Sequence, residues 1–375
     1  MFIFFEKLFD KISSYILPYL LNIKIKIYHF PIIKNIVGDF PNGFCEDIIK
    51  LAKEKGWKVE THIIPEFTRK KPYTIENTIH KNYYRQYHLK EHSVNIIRIP
   101  SARIVTDEGN VVTPNNLIID NMYFPIARKK SKVRKILKLP KEEYIDKRIL
   151  AIPNVKNYFH WMIEVLPRFN YVKNFDLVAF PYELKFQKES LEMLNIPKEN
   201  VIYYSNSTNI KAKEVIIPLM PIRSGNPYAE TCKFVRELFL KKEFQNKKYE
   251  RIYVTRGAVK HRKVINEKKI KNYLKHRGFT FVSMDGLTIQ KQAEIFNSAK
   301  IIVAPHGAAL TNLIFAKKGT KVIEFFAPDY VNVCFWAISN SVNLNYHYFL
   351  GEKIHLNYSI NTKIKLDKLE SSLTI

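Results

Sequence analysis

Between residues 251 and 326, four short apolar runs (RIYVTR, FTFVSM, KIIVAP and TKVIEFF) alternate with helical segments. No other feature constrains the fold as much. Short apolar runs bounded by turns are strands buried on both faces, and strands separated by helices pair in parallel through right-handed crossovers. The intervening helices carry their own punctuation. NEKKIKNYLKHRG (266–278) is stopped by Gly278, and TIQKQAEIFNSA (288–299) opens on Thr288 as a cap. AALTNLIFA reads as a short helix after KIIVAP.

The middle third repeats the theme. KRILAIP is a strand, NYFHWMIEVLPRFNYV (157–172) a helix with Asn157 as cap, LVAF (177–180) a strand and LKFQKESLEMLNI (184–196) an amphipathic helix. VIYY and EVIIP follow as strands. Residues 50–125 are strand-rich and irregular, with KVETHIIP, VNIIRIP, RIVTD and NVVTPNNLIID around an unassigned KNYYRQYHLKEH (81–92). The expected class is α/β: two Rossmann-like halves with a β-rich N-terminal portion. The expected divisions are an apolar, basic helical segment at 1–48, a domain at 49–240 and a second at 241–375.

Composition admits this. The chain has 375 residues, 46% of them hydrophobic, enough for two cores. Its net charge of +26 fits nucleic acid, an anionic membrane face or a phosphorylated substrate, and equally a solvated lysine-rich surface. The run ARKKSKVRKILK (127–138) is basic enough to meet lipid or phosphate. Cys45, Cys232 and Cys334 lie far apart without metal or disulfide spacing, as in a reduced, cytoplasmic protein. The N-terminal apolar stretch is interrupted by Glu6, Lys7, Asp10, Lys11 and Pro18, so it reads as a packed or interfacial helix rather than a membrane span.

In an open parallel sheet, ligands bind beyond the carboxyl ends of the strands. Three groups fall there. His306-Gly307-Ala308 ends KIIVAP and begins a helix, an anion site or a tight turn with a capping histidine; Thr311 and Asn312 lie one turn further in. Arg256 ends RIYVTR, with Arg262 after the turn; each is a phosphate clamp or a surface arginine. Glu324, within an apolar strand, needs a basic partner or sugar hydroxyls. In the middle third, His160 and Glu164 are four apart on one helix face, as a general base with its orienting carboxylate or as part of an aromatic cluster. No P-loop, GxGxxG, HExxH, GxSxG or Asp-x-Asp occurs.

Together these stretches resemble glycosyltransferase family 61. IIVAPHGAALTNLIFAKKGTKVIEFF is similar to the family's strand, His-Gly-Ala, Leu-Thr-Asn and later Glu pattern. RIYVTRGAVKHRKVINE is similar to its strand-ending Ser/Thr-Arg element, and NYFHWMIEVLPR to its Asn-aromatic-aromatic-His element with Leu-Pro-Arg. Thr255 and Ala309 stand where Ser and Gly are common.

The resemblance implies a GT-B fold, two Rossmann-like domains facing a cleft, and an inverting transfer from a nucleotide sugar, usually UDP-linked. It implies that Arg256 and the His306–Ala308 turn hold the diphosphate, with Glu324 near the nucleoside or donor and His160 and Glu164 on the acceptor side; by their positions, Arg262, Thr311 and Asn312 are expected to add donor-side contacts. No prosthetic group and no strictly required metal are expected. The expected partner is an oligosaccharide or lipid-linked glycan of capsular or cell-surface polysaccharide synthesis. The expected location is cytoplasmic, peripheral on the inner membrane face. The competing readings are a basic nucleic-acid- or anionic-surface-binding protein and a degenerate transferase scaffold.

Overall fold

The structure, a computed structural model, describes residues 41–374 apart from 46, 107–108, 120–138, 154, 181–183, 221–224, 258–261 and 357–358. The basic run 127–138 and residues 1–40 of the N-terminal segment lie outside the described residues.

Two large sheets organise the chain. The first has ten strands. Its parallel half runs Asn209–Leu219, Glu143–Ala151, Leu177–Phe180 and Val201–Tyr203, and helix Lys185–Met193 lies in the crossover between the last two. The β-rich N-terminal portion adds antiparallel strands. Asn209–Leu219 pairs with Arg103–Val105 over its first residues and with His92–Pro100 over its last, and Lys58–Ile64 pairs outside His92–Pro100. The strands read from the sequence are therefore present, and this sheet is mixed.

The second sheet is wholly parallel. Its order is Thr280–Val282, Arg251–Val254, Ile301–Pro305, Lys321–Phe326, Asn345–Leu350 and Tyr73–Thr74. The first four are the apolar runs that define the sequence. The edge strand, Tyr73–Thr74, comes from far upstream; two residues are too few to show a periodicity. From residue 251 onward the strands are ordered second, first, third, fourth, fifth. The winding reverses between Arg251–Val254 and Ile301–Pro305, which opens a crevice at their carboxyl ends.

Local chemistry sets the helices. Thr288 Oγ1 accepts from Lys291 N–H to start Ile289–Ser298. Gly278 takes φ +74° after Glu267–Lys275, a left-handed stop that glycine adopts without a Cβ penalty. Two helices differ from expectation. Ala308–Phe315 is a 3₁₀ helix, with Leu310 through Phe315 all buried. Packing on every side, rather than an amphipathic α pattern, shapes it. Within 157–172, Trp161–Val165 is a π turn. Pro167 has no N–H to bond the carbonyl of Ile163, and the ladder slips so that Leu166 N–H bonds Trp161 O at 2.8 Å.

One apolar core runs continuously from Leu150 and Ile216 under the first sheet to Ile252, Ile302 and Phe326 under the second. Cys45, Cys232 and Cys334 are buried free thiols. Among the described residues, no helix is long and apolar enough to cross a membrane.

Candidate active site

The crevice at the reversal point is built from the ends of two neighbouring strands. Arg256 follows Arg251–Val254, and His306-Gly307 follows Ile301–Pro305. Gly307 has φ −177°, an extended backbone that any residue adopts. Its value is closeness: a Cβ there would lie 3.3 Å from Arg256 Nε and 3.6 Å from Arg256 Cδ. Arg256 thus lies against bare backbone at the mouth of the 3₁₀ helix, where Ala308 is exposed. Its Nη1 donates to the carbonyl of Arg262 at 3.2 Å, and the Arg262 guanidinium sits 4.5 Å over the Tyr330 ring. Burial, and then the charge of Arg262, push the Arg256 pKa down to about 10. No carboxylate offsets either arginine among the described residues. Two adjacent cations without a counter-charge suit a doubly charged anion.

Beside them, His306 Nδ1 meets Glu324 Oε1 at 2.5 Å, and the second carboxylate oxygen accepts from Tyr346 hydroxyl at 2.5 Å. Glu324 is fully buried. Its partners are thus a histidine and a tyrosine, which assigns both oxygens within the protein. Phe326, Phe335 and Tyr330 wall the imidazole at centroid distances of 5.1, 5.0 and 5.6 Å. With Nδ1–H given to the carboxylate, Nε2 is the nitrogen that carries the lone pair of the neutral imidazole.

A second histidine–glutamate pair stands nearby. His160 Nδ1 meets Glu164 Oε2 at 2.6 Å, and Glu164 Oε1 accepts from Gly225 N–H at 2.9 Å. The Glu164 side chain is wholly buried, whereas 36% of the His160 side chain is exposed, so the imidazole is the member that solvent reaches. Arg168, buried below, donates to the carbonyls of Glu164 (3.0 Å) and Pro218 (2.6 Å) and pins the π turn. Aromatic rings connect the two pairs. Phe159 contacts His160 at 5.3 Å and Phe335 at 5.7 Å, and Phe335 contacts His306.

Thr311 and Asn312 are placed differently from the rest. Both are fully buried. Asn312 receives Tyr158 hydroxyl at 2.8 Å and donates to Gln292 Oε1 at 2.7 Å and Ala309 O at 3.0 Å. It fastens the 3₁₀ helix to two neighbouring elements. Thr311 Oγ1 has no hydrogen-bond partner among the described residues. The structure therefore gathers Arg256, Arg262, His306, Gly307 and Ala308 at the crevice, and sets Thr311 and Asn312 beneath it.

Sequence reasoning overlooked Asp285. Its Oδ2 accepts from Ser283 Oγ at 3.1 Å and would lie 2.6 Å from a Cβ on Gly257, whose φ is +62°. It is an exposed carboxylate at the end of the adjacent strand Thr280–Val282. The acid that follows FTFVSM was the available signal. Among the described residues, no three His, Cys, Asp or Glu side chains group as metal ligands.

These features define an α/β protein with an anion-ready crevice flanked by two histidine–carboxylate pairs. Residues 158–323 match the model of the family described as Glycosyltransferase 61, and this stretch, which holds the His160–Glu164 pair and His306 and ends one residue short of Glu324, is a glycosyltransferase family 61 domain. No curated protein matches the chain.

Proposed function

We propose that the protein is an inverting glycosyltransferase that moves a sugar from a nucleoside diphosphate, a UDP-sugar, to a hydroxyl of a glycan acceptor. The observation that carries this reading is Arg256 lying on the Gly307 backbone beside His306, with Arg262 next to it over the Tyr330 ring: two cations that no carboxylate offsets among the described residues.

In this scheme the acceptor oxygen attacks the anomeric carbon as the bond to the diphosphate oxygen breaks, through an oxocarbenium-like state. His160 Nε2 takes the acceptor proton, while Glu164 holds the opposite nitrogen and favours the imidazolium that forms. The negative charge that develops on the departing diphosphate is met by Arg256, Arg262, the N–H groups at Ala308 and His306 Nε2. Asp285, on the neighbouring strand end, takes ribose hydroxyls, as an acidic group at such a position does in nucleotide-binding sheets. The arginines fill the role that a metal fills in other transferases, so turnover is independent of divalent cations. The two sheets correspond to the two halves of a GT-B enzyme. The acceptor is an oligosaccharide or lipid-linked glycan of a capsular or cell-surface polysaccharide, and the basic surface holds the enzyme against the anionic inner face of the membrane.

Incubation with a panel of nucleotide sugars tests the reading. Slow release of free UDP from one donor, abolished in Arg256→Ala, supports it. A panel in which no nucleotide sugar is cleaved or bound contradicts it.

A further inference from the structure

A chain of hydrogen bonds leads away from His306 into the protein, and its far end lies outside the family-matched stretch. We propose that Tyr346, through Glu324, is the positioning residue that sets the orientation and proton affinity of His306, with Tyr83 completing the chain. This rests on the reading of His306 as a donor-site residue.

The direction of each bond follows from the groups. Burial, then the charge of Glu324, raise the Tyr346 pKa well above 10, so the phenol keeps its proton and donates it to Glu324 Oε2 at 2.5 Å. Its oxygen is then the acceptor for Tyr83 hydroxyl, 3.2 Å away, a phenol raised in the same sense by burial and then by Glu324. The sequence is thus Tyr83 to Tyr346 to Glu324, with His306 Nδ1–H donating from the other side. Such series polarise one another and fix the tautomer at the functional end.

The surroundings suit this role. The Tyr83 ring is held against Trp336 at 5.2 Å and Tyr348 at 4.5 Å. Among the described residues, the titratable or charged groups around His306 and Glu324 include Tyr330, whose ring lies 5.6 Å from the imidazole with Arg262 over it, Cys334, which feels Glu324, and Arg256 against Gly307. Tyr83 arrives on the excursion between residues 65 and 91, which crosses from one sheet to the other. Arg69, buried on that excursion, donates to Gln86 O at 2.7 Å and Pro227 O at 3.2 Å. Lys70 N–H bonds Asn340 Oδ1, and Lys70 O accepts from Trp336 Nε1. His80 N–H bonds Tyr348 hydroxyl, and Asn82 Nδ2 donates to Val331 O. A segment upstream of the transferase domain therefore contributes to its site.

Nitrogen-15 NMR of histidine-labelled full-length protein tests the proposal without any substrate, with His306→Asn assigning the resonance. Tyr346→Phe removes one hydrogen bond to the carboxylate, leaving more charge on Oε1. The His306 titration is then expected to move to higher pH by about half to one unit. Tyr83→Phe moves it the same way by less, and keeps the test open if the first variant does not fold. Tyr348→Phe, on the same strand but outside the chain, leaves it unchanged. With a cleavable donor, Tyr346→Phe lowers kcat about tenfold and leaves donor KM within about twofold. An unmoved His306 titration in both Tyr346→Phe and Tyr83→Phe, or an equal shift in Tyr348→Phe, overturns the proposal. If no donor is cleaved by the wild type, the transferase reading fails while the NMR titration still decides this one.

Discussion

Gly307 and Arg256 carry more information together than either does alone. A methyl group at Gly307 reaches to 3.3 Å of Arg256 Nε, so the guanidinium must shift by a few tenths of an ångström. Gly307→Ala is expected to weaken UDP binding about five- to tenfold, with little change in melting temperature, in a calorimetric titration. Arg256 also sets a pH limit. Its pKa, held down to about 10, means that it is charged below that value and loses charge as pH rises through it. UDP affinity is therefore expected to hold across neutral pH and to fall near pH 10, below the range in which an ordinary arginine titrates. His160→Ala is expected to lower kcat about a hundredfold or more while leaving UDP affinity near wild type, because it acts on the acceptor proton. At this scale the sequence was most informative where a residue type was costly. Glu324 in an apolar strand called for a basic partner or sugar hydroxyls, and in the structure it meets His306 and Tyr346. It was least informative for Asp285 and Tyr346. An acid after a strand and a tyrosine in a strand are both ordinary, and only three-dimensional neighbours give them meaning.

Among the elements, the four strands between residues 251 and 326 were legible because each is a short apolar run with turn signals at both ends, whereas Asn345–Leu350 beyond them was not read. The 3₁₀ helix Ala308–Phe315 and the π turn Trp161–Val165 were not. Both depend on hydrogen-bond slippage driven by packing and by Pro167, which a periodicity cannot reveal. Asn312 shows what this hides: a polar residue in the right place for a ligand is spent on Tyr158, Gln292 and Ala309. Asn312→Ala leaves those groups buried without partners and is expected to cost about 2–3 kcal/mol, read as a lower denaturation midpoint. In strand Asn345–Leu350, His347 stacks on Tyr73 at 4.7 Å and burial lowers its pKa from 6.5 to about 4. The unfolded chain binds that proton first, so the contribution of His347 is full above about pH 6.5 and is lost as pH falls toward 4. His347→Phe is expected to flatten the fall of melting temperature across that window.

The whole molecule joins two sheets over one continuous core and ties them with the 65–91 excursion. The α/β alternation of the middle and last thirds was readable along the chain. The edge strand Tyr73–Thr74 and the placement of Tyr83 were not, because they depend on contacts more than 250 residues away in sequence. The basic composition, +26 overall, is most pointed at the crevice, where two arginines stand without acidic partners among the described residues. If they do the work of a metal, turnover in excess EDTA is expected to stay within about twofold of the untreated rate. The most direct measurement is the thermal melting of wild type and Arg256→Ala with and without UDP. The account predicts a saturable rise for wild type, worth about 2.7 kcal/mol when UDP is present at a hundred times its Kd, and its loss in the variant. A wild type that is not stabilised by UDP, by any other nucleotide or by any nucleotide sugar would contradict it.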